Sequence, residues 1–331
     1  MKGAAGMLLA AALVLPHAAF AQAQKPQAKP APSPFTNAPS GVQIGTPIGE
    51  ADLAYGAYQN GRYLTAFALA MKRAEALADP VAMTLLGELY ANGLGVATND
   101  QKAADWYKLA ADRGDRNAMF ALGMFRLVGR AGPADRAEAA RLFQSAADRG
   151  HAAAAYNLAL LYLEGQVFPQ DFAKAAQLLR KAADAGNPEA QYALATMYKE
   201  GRGVEKNISE AAQLLAASAL ADNLDAEVEF AIMLYNGTGV TKDEKRASEI
   251  MRKAAQRGSP IAQNRLARVL ASGKGLPADP VQAIKWHLIS KAGGATDLWL
   301  DEFAGQQPPQ VRAEAEKAAK PWLDAIAASR S

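Results

Sequence analysis

The sequence of 331 residues contains no cysteine, and this absence excludes several kinds of chemistry. Without thiols there are no disulfide bonds, no thiolate nucleophile, no thiolate metal site and no lipid-anchoring cysteine after a signal sequence. Histidine is nearly as scarce, with His17, His151 and His287. Because His17 lies in the N-terminal apolar segment and the other two are far apart in sequence, we predict no histidine metal site and no catalytic triad.

An excess of charge of one sign is also missing. The 36 lysines and arginines nearly balance the 33 aspartates and glutamates, which gives a net charge of +3. Binding to nucleic acid or to an anionic membrane surface depends on a broad positive field, so we predict no nucleic-acid partner. Carboxylates are abundant, but most are expected at helix caps or on solvated helix faces. We therefore predict no enzyme activity and no cofactor.

One apolar run lies near the N-terminus, between Lys2 and the break at Pro16, and it is followed by Ala19, Phe20 and Ala21. This order is typical of a cleavable signal peptide, which predicts residues 1–21 as the signal, cleavage after Ala21 and a periplasmic location. The run is about a dozen residues long, short of the roughly 20 that span a bilayer, so an uncleaved anchor is the weaker alternative. We expect no integral membrane span in the mature chain.

Side chains recur every 36 residues over most of the chain. One column is glycine throughout, at Gly93, Gly129, Gly165, Gly201, Gly237 and Gly273. A second is asparagine or aspartate, at Asn99, Asp135, Asp171, Asn207, Asp243 and Asp279. A third is alanine, at Ala103, Ala139, Ala175, Ala211, Ala247 and Ala283. A fourth is glycine with one exception, at Gly114, Gly150, Gly186, Asp222, Gly258 and Gly294. Such a period predicts one supersecondary unit repeated six times.

The columns indicate a helical hairpin. The Asn or Asp column precedes an alanine-rich segment, where a side-chain oxygen accepts hydrogen bonds from the free amides of a helix start. The Gly114 column follows that helix, where a left-handed residue ends it without steric cost. Between them, Ala103, Trp106, Tyr107 and Ala110 recur at helical spacing. A first helix precedes this second helix, and a glycine-rich connector joins the two.

The unit resembles the Sel1-like repeat, a relative of the tetratricopeptide repeat. The resemblance rests on Leu86-Gly87, Tyr90, Gly93-Leu94-Gly95-Val96, Lys102-Ala103, Trp106-Tyr107, Ala110-Ala111 and Gly114. The second unit departs from the pattern at Arg126 and Ala131, and the third at Gln166-Val167-Phe168, so we expect connectors of altered shape there.

The resemblance implies an all-α fold, an α-α solenoid in which the hairpins form a superhelix. We expect a disordered Pro/Ala-rich linker at 22–48, because this composition buries little apolar surface. A degenerate tetratricopeptide-like hairpin is expected at 49–80, six Sel1-like repeats at 81–297, and capping helices at 298–331.

The resemblance also implies a scaffold or adaptor that binds a partner protein or peptide, including a membrane sensor or an envelope complex. In such a superhelix the first helices line the concave face. The candidate binding residues on that face are Phe120, Met124, Leu127, Tyr156, Leu160, Leu163, Tyr192, Val228, Ile232, Tyr235, Asn264 and Arg268. An apolar row of this kind is typical of a peptide groove. Packing against the neighbouring hairpin is the alternative for the apolar members.

Binding of peptidoglycan or a polysaccharide is the alternative function. It would use tryptophan rings to stack on sugars, and the candidates are Trp106, Trp286, Trp299 and Trp322. These tryptophans occupy core-like positions in the helical pattern or lie in the predicted caps. We therefore expect protein binding ahead of glycan binding.

Overall fold

A computed structural model of the chain describes residues 50–329. In this range it contains sixteen α-helices and no β-strand, which confirms the predicted all-α class. The predicted signal peptide at 1–21 and the predicted linker at 22–48 lie outside the described residues. Within the described residues the chain divides into two compact units, one made of residues 50–154 with Leu160–Gln170, and the other of Ala155–Ala159 with residues 171–329.

The described part of the first unit contains three helical hairpins, in which successive helices pack on each other. Their helices are α1 (Glu50–Gln59), α2 (Tyr63–Leu77), α3 (Pro80–Asn92), α4 (Asp100–Asp112), α5 (Arg116–Val128) and α6 (Arg136–Asp148). Helix α7 (Ala152–Glu164) contributes its first three and its last five residues to this unit, and the five residues between them to the other.

The second unit continues the same order of first and second helices. It contains α8 (Phe172–Asp184), α9 (Pro188–Glu200), α10 (Ile208–Leu220), α11 (Leu224–Asn236), α12 (Glu244–Gln256), α13 (Pro260–Ser272) and α14 (Pro280–Ala292). Two closing helices follow, α15 (Leu298–Gln306) and α16 (Pro309–Ala328). The last of these packs on α14, where the rings of Trp286 and Trp322 lie 5.3 Å apart.

The predicted N-caps of the second helices are confirmed. At each of the six positions, a side-chain oxygen accepts a hydrogen bond from the backbone amide three residues later; Asn99 and Lys102 are one such pair, at 2.9 Å. The first helices have a second column of caps that the sequence analysis missed. Its members are Asp79, Asp115, His151, Asn187, Asn223 and Ser259. Both helices of each repeat therefore begin with a side-chain hydrogen bond to a free helix amide.

The predicted left-handed conformation after the second helices, at Gly114 and its equivalents, is confirmed as well, including at Asp222, the one position of this column that is not glycine. Asp222 replaces glycine in its column but still adopts a positive φ of 64°. In the second repeat, Ala131 replaces glycine in the connector and keeps a left-handed φ of 57°, but the next residue, Gly132, has a φ of 140°, whereas its equivalents such as Val96 have no positive φ, so this connector does differ in shape. The third connector also differs, because Val167 has no positive φ.

The two helices of a hairpin approach most closely where a glycine of the first meets a ring of the second. A Cβ atom added at Gly87 would lie 2.5 Å from the ring of Tyr107, and one at Gly123 would lie 2.6 Å from the ring of Phe143. Both rings are fully buried. Glycine at these positions is therefore a packing requirement, since no larger side chain fits beside the ring.

Candidate partner-binding face

In the first unit, the candidate residues Phe120, Met124 and Leu127 lie on α5 and are half-buried. The ring of Phe120 lies 5.8 Å from that of Phe143 on α6 and stacks on His151 at 4.5 Å. For Phe120, the packing alternative therefore holds.

Helix α7 carries three further candidates, and all are half-buried. Tyr156 belongs to the second unit, where burial and the nearby Glu189 carboxylate raise the pKa of its phenol. Leu160 and Leu163 belong to the first unit. The twelve predicted residues are thus divided between the two units, five in the first and seven in the second.

For Val228, the packing alternative holds. Its side chain is only 4% exposed and belongs to the same buried cluster as Met251 and Leu266, although it also contributes to the lining of a cleft. One turn later on α11, Ile232 and Tyr235 are half-buried and line open clefts. The helical period assigned all three to one face, but α12 and α13 cover the beginning of that face and leave its end accessible.

A cleft of about 500 Å³ lies along the first helices α9 and α11, and we name it the α9–α11 cleft. Its lining includes Tyr192, Lys199, Glu229, Ile232, Asn236 and Ile261. The Glu229 carboxylate accepts hydrogen bonds from the Tyr192 hydroxyl at 2.9 Å and from Lys199 Nζ at 2.5 Å. Burial and this carboxylate raise the pKa of the Tyr192 phenol. The hydrogen bonds of Tyr192 and Lys199 to Glu229 therefore tie α9 to α11.

A second cleft, of about 350 Å³, adjoins the first and is named the α11–α13 cleft. Ile232 and Asn236 line both clefts, so the two form one continuous recess. The remaining lining includes Tyr235, Met251, Arg265, Arg268, Lys274 and Trp299. Only cationic, polar and apolar groups line this cleft, with no carboxylate among them.

The two polar candidates, Asn264 and Arg268, are already engaged by a residue that the sequence analysis missed. Arg268 donates two hydrogen bonds to the Asp297 carboxylate, at 2.6 and 2.8 Å, and Asn264 Nδ2 donates a third at 2.9 Å. Asp297 in turn accepts from the amides of Trp299 and Leu300, as the N-cap of α15. These two side chains thus attach the closing helix α15 to α13, which is a structural role that their place among the candidate binding residues did not predict.

The environment of Asp297 keeps its carboxyl ionised. Burial alone would raise the pKa, but the hydrogen bonds from Arg268, Asn264 and the Leu300 amide outweigh burial and lower the pKa to about 2. The only signal in the sequence was an aspartate before a helical segment, which indicates a cap but gives no reason to pair it with residues about 30 positions away.

Among the four tryptophans considered for sugar stacking, three are at least half-buried and one is exposed. Trp286 is buried, while Trp106 and Trp322 are half-buried. Trp299 on α15 is 44% exposed and lines the α11–α13 cleft. Its ring stacks near Phe303, with centroids 5.9 Å apart, and lies 5.2 Å from the Arg268 guanidinium. Part of this ring surface is therefore occupied by the protein itself.

The histidines of the described range each have a structural contact. Nδ1 of His151 accepts the Ala154 amide at 3.1 Å, and Nε2 of the buried His287 lies 2.8 Å from Asp301. Between residues 50 and 329, no group of three or more His, Asp or Glu side chains is arranged to hold a metal ion. None of the helices in this range combines the length and the apolar character needed to cross a bilayer.

The Sel1 repeat family model matches the chain six times in succession, at residues 80–115, 116–151, 152–187, 188–223, 225–259 and 260–294. Proteins with Sel1 repeats generally mediate protein–protein interactions, and the family is typically non-catalytic. A search of curated proteins found no match.

Two solved structures share the architecture. A Sel1 repeat protein from Oxalobacter formigenes is 28% identical, with a TM-score of 0.62 over 75% of this chain and 99% of that one. The protein c5321, a protective antigen present in uropathogenic Escherichia coli strains that displays an SLR fold, is 26% identical, with a TM-score of 0.57 over 85% and 69% of the two chains. The predicted α-α solenoid class is thereby confirmed. Because the six matches together cover well over half of its residues, the chain belongs to the Sel1 repeat family.

Proposed function

We propose that the protein is a non-enzymatic periplasmic scaffold or adaptor that binds a partner protein or peptide along the first helices of its second unit. The carrying observation is the continuous recess formed by the α9–α11 and α11–α13 clefts, which share Ile232 and Asn236. Its floor is largely apolar, and its walls come mainly from the first helices α9, α11 and α13, with Met251 of α12 and Trp299 of α15 added. A recess of this form suits an extended segment of a partner better than a small substrate held on all sides.

The chemistry of the recess supports binding rather than catalysis. In the α9–α11 cleft, Tyr192, Lys199 and Glu229 are bonded to one another. Neither described histidine lines the recess. These three groups are therefore engaged in structure, as expected for a member of a typically non-catalytic family.

The periplasmic part of the proposal rests on the N-terminal sequence. Lys2, the apolar run and Ala19-Phe20-Ala21 have the order of a signal peptide. A partner would then be an envelope protein or the extracytoplasmic part of a membrane sensor.

In-cell photocrosslinking tests the proposal. A photoreactive amino acid replaces Ile232, which lines both clefts, and the adducts are identified by mass spectrometry after periplasmic extraction. We expect a discrete protein adduct in the periplasmic fraction, because a bound segment would lie within a few ångströms of this side chain.

The matched control carries the same amino acid at Lys245, which is exposed on the second helix α12 of the same unit. An adduct at position 232 and none at 245 supports the proposal. The same adducts at both positions, or none at 232, would contradict binding in the recess. Recovery of the protein only from the cytoplasm would contradict the location.

A further inference from the structure

We infer that the α11–α13 cleft binds an acidic peptide segment that carries an apolar side chain between its carboxylates. This inference rests on the proposed function and adds the chemistry of the partner. It follows from the charges that surround the cleft, from its apolar floor, and from the contrast with the adjoining α9–α11 cleft.

Two cations of the α11–α13 cleft have no internal partner. Arg265 on α13 and Lys274 in the connector after α13 are exposed. Over residues 50–329 neither forms an ion pair or a hydrogen bond, whereas the third cation, Arg268, is matched by Asp297. The cleft therefore carries two uncompensated positive charges.

The nearest carboxylates do not neutralise these charges. Asp297 forms an ion pair with Arg268. Glu244, which lies near Tyr235, forms an ion pair with Lys242 at 2.6 Å. Glu302, on the same helix as Trp299, does not line the cleft. Its carboxylate accepts a hydrogen bond from Gln306 at 3.4 Å. An incoming carboxylate would thus meet a field that the chain itself leaves positive.

The floor between the two cations is apolar and aromatic. Ile232, Tyr235, Met251, Val269 and Trp299 contribute to it. Burying an aliphatic or aromatic side chain there would supply affinity, and the cations at the rim would select its neighbours by charge.

The adjoining cleft shows that this charge is local. In the α9–α11 cleft Lys199 is paired with Glu229, and Asp225 is an exposed carboxylate without a cation of its own in the lining. A segment that follows both clefts would therefore carry its acidic residues at the α13 end. An anionic surface with evenly spread charge, such as a lipid bilayer, would also meet the Asp225 carboxylate of the α9–α11 cleft. A peptide, whose charge can be confined to one end, therefore fits the pattern better.

Selection from a phage-displayed library of random dodecapeptides tests the inference with the full chain immobilised. We expect the wild type to enrich peptides with aspartate or glutamate beside an aliphatic or aromatic residue. The double variant R265E/K274E should lose this enrichment. The control K245E/R252E reverses two exposed charges on α12 and should keep it. The most enriched peptide, labelled for fluorescence anisotropy, should bind R265E/K274E about tenfold more weakly and the control equally well.

Peptides without acidic enrichment, acidic peptides retained by R265E/K274E, or no enrichment at all would overturn the inference. So would binding of phosphatidylglycerol vesicles or peptidoglycan fragments, without any peptide, that depends on Arg265 and Lys274. The crosslink at position 232 is an independent readout. If it forms while the selection fails, the recess binds a partner of other chemistry and the proposed function stands; if it fails while acidic peptides are selected, the cleft binds such peptides but the cellular role is wrong.

Discussion

In the first unit, Gly87 and Gly123 lie against the rings of Tyr107 and Phe143, whereas three of the four equivalent pairs in the second unit combine alanine with leucine or methionine, and the fourth combines Ala267 with His287. Ala195 with Leu215 and Ala231 with Met251 are such position pairs, and all four residues are buried. A small residue with a large one, or a medium residue with a medium one, fills about the same volume. The comparison teaches that the hairpin constrains the sum of two side chains and leaves each of them free to vary.

The two units also contain helix caps whose side chains become protonated at different pH. In the second unit, Asp297 caps α15 as a carboxylate with a pKa of about 2. In the first, His151 caps with a neutral imidazole, because burial and nearby Arg116 lower its pKa to about 4. A cap that accepts hydrogen bonds must stay unprotonated, so the two caps would fail in different ranges of pH.

The largest expected effect is a loss of stability in the second unit, at the start of its closing helix α15. Asp297→Ala should lower the free energy of unfolding at pH 7 by about 3 kcal/mol, because the folded carboxyl titrates almost two pH units below its usual 3.8 and the cap is lost. Urea unfolding followed by circular dichroism measures the change. In the wild type this stability is present above pH 4 and is lost as the pH falls towards 2. An unchanged unfolding midpoint in the variant would contradict a stabilising role for the Asp297 contacts.

A smaller effect tests the packing rule of the first unit. Gly123→Ala should cost about 2 kcal/mol, since overpacking against Phe143 exceeds the gain in helix propensity of about 1 kcal/mol. Adding Phe143→Leu, which recreates the pairing of the second unit, should recover most of the loss. The same urea experiment on both single variants and the double variant gives the coupling. Additive losses would show that the two positions do not share one volume.

The smallest expected effect is a pH dependence of stability that comes from His151 in the first unit. The pKa of His151 is depressed when folded, so the unfolded chain binds the extra proton and stability falls as the pH drops from about 6.5 towards 4. Between pH 7 and 5 the wild type should lose about 1.5 kcal/mol more than His151→Asn, which keeps an uncharged cap. Unfolding midpoints of both proteins at the two pH values give the comparison. An equal loss in both would exclude His151 as its source.

The fold followed from the sequence because the repeat shows the same columns six times. Asn99 and its equivalents predicted caps that the structure confirms, since an N-cap is decided within four residues. The face of α11 was predicted less well. Val228 and Ile232 are four residues apart and share a helical face, yet Val228 is buried at the edge of one cleft while Ile232 is half-buried and lines both clefts. Helical period identifies a face but does not tell how far the next hairpin covers it.

The charged part of the site was beyond sequence reasoning for a similar reason. Asn264 and Arg268 were predicted as binding residues of the concave face, but they bond to Asp297, which lies beyond helix α14 in sequence. Arg265 lies beside them in the sequence and is left without a partner in the described residues. Which of two neighbouring arginines is matched depends on side-chain direction around the helix, and a single sequence does not give the neighbour that each side meets.

The close approach of Gly123 and Phe143 has a consequence for how such chains are rearranged by duplication and recombination. A crossover at the boundary between hairpins moves the small and the large residue together, so the new chain inherits a filled core. A crossover inside the connector would join the glycine of one unit to a leucine of another, which leaves a void, or join an alanine to a phenylalanine, which produces a clash. Gain and loss of repeats is therefore expected to proceed in whole hairpins, and hybrids cut in mid-hairpin would require a second, compensating substitution.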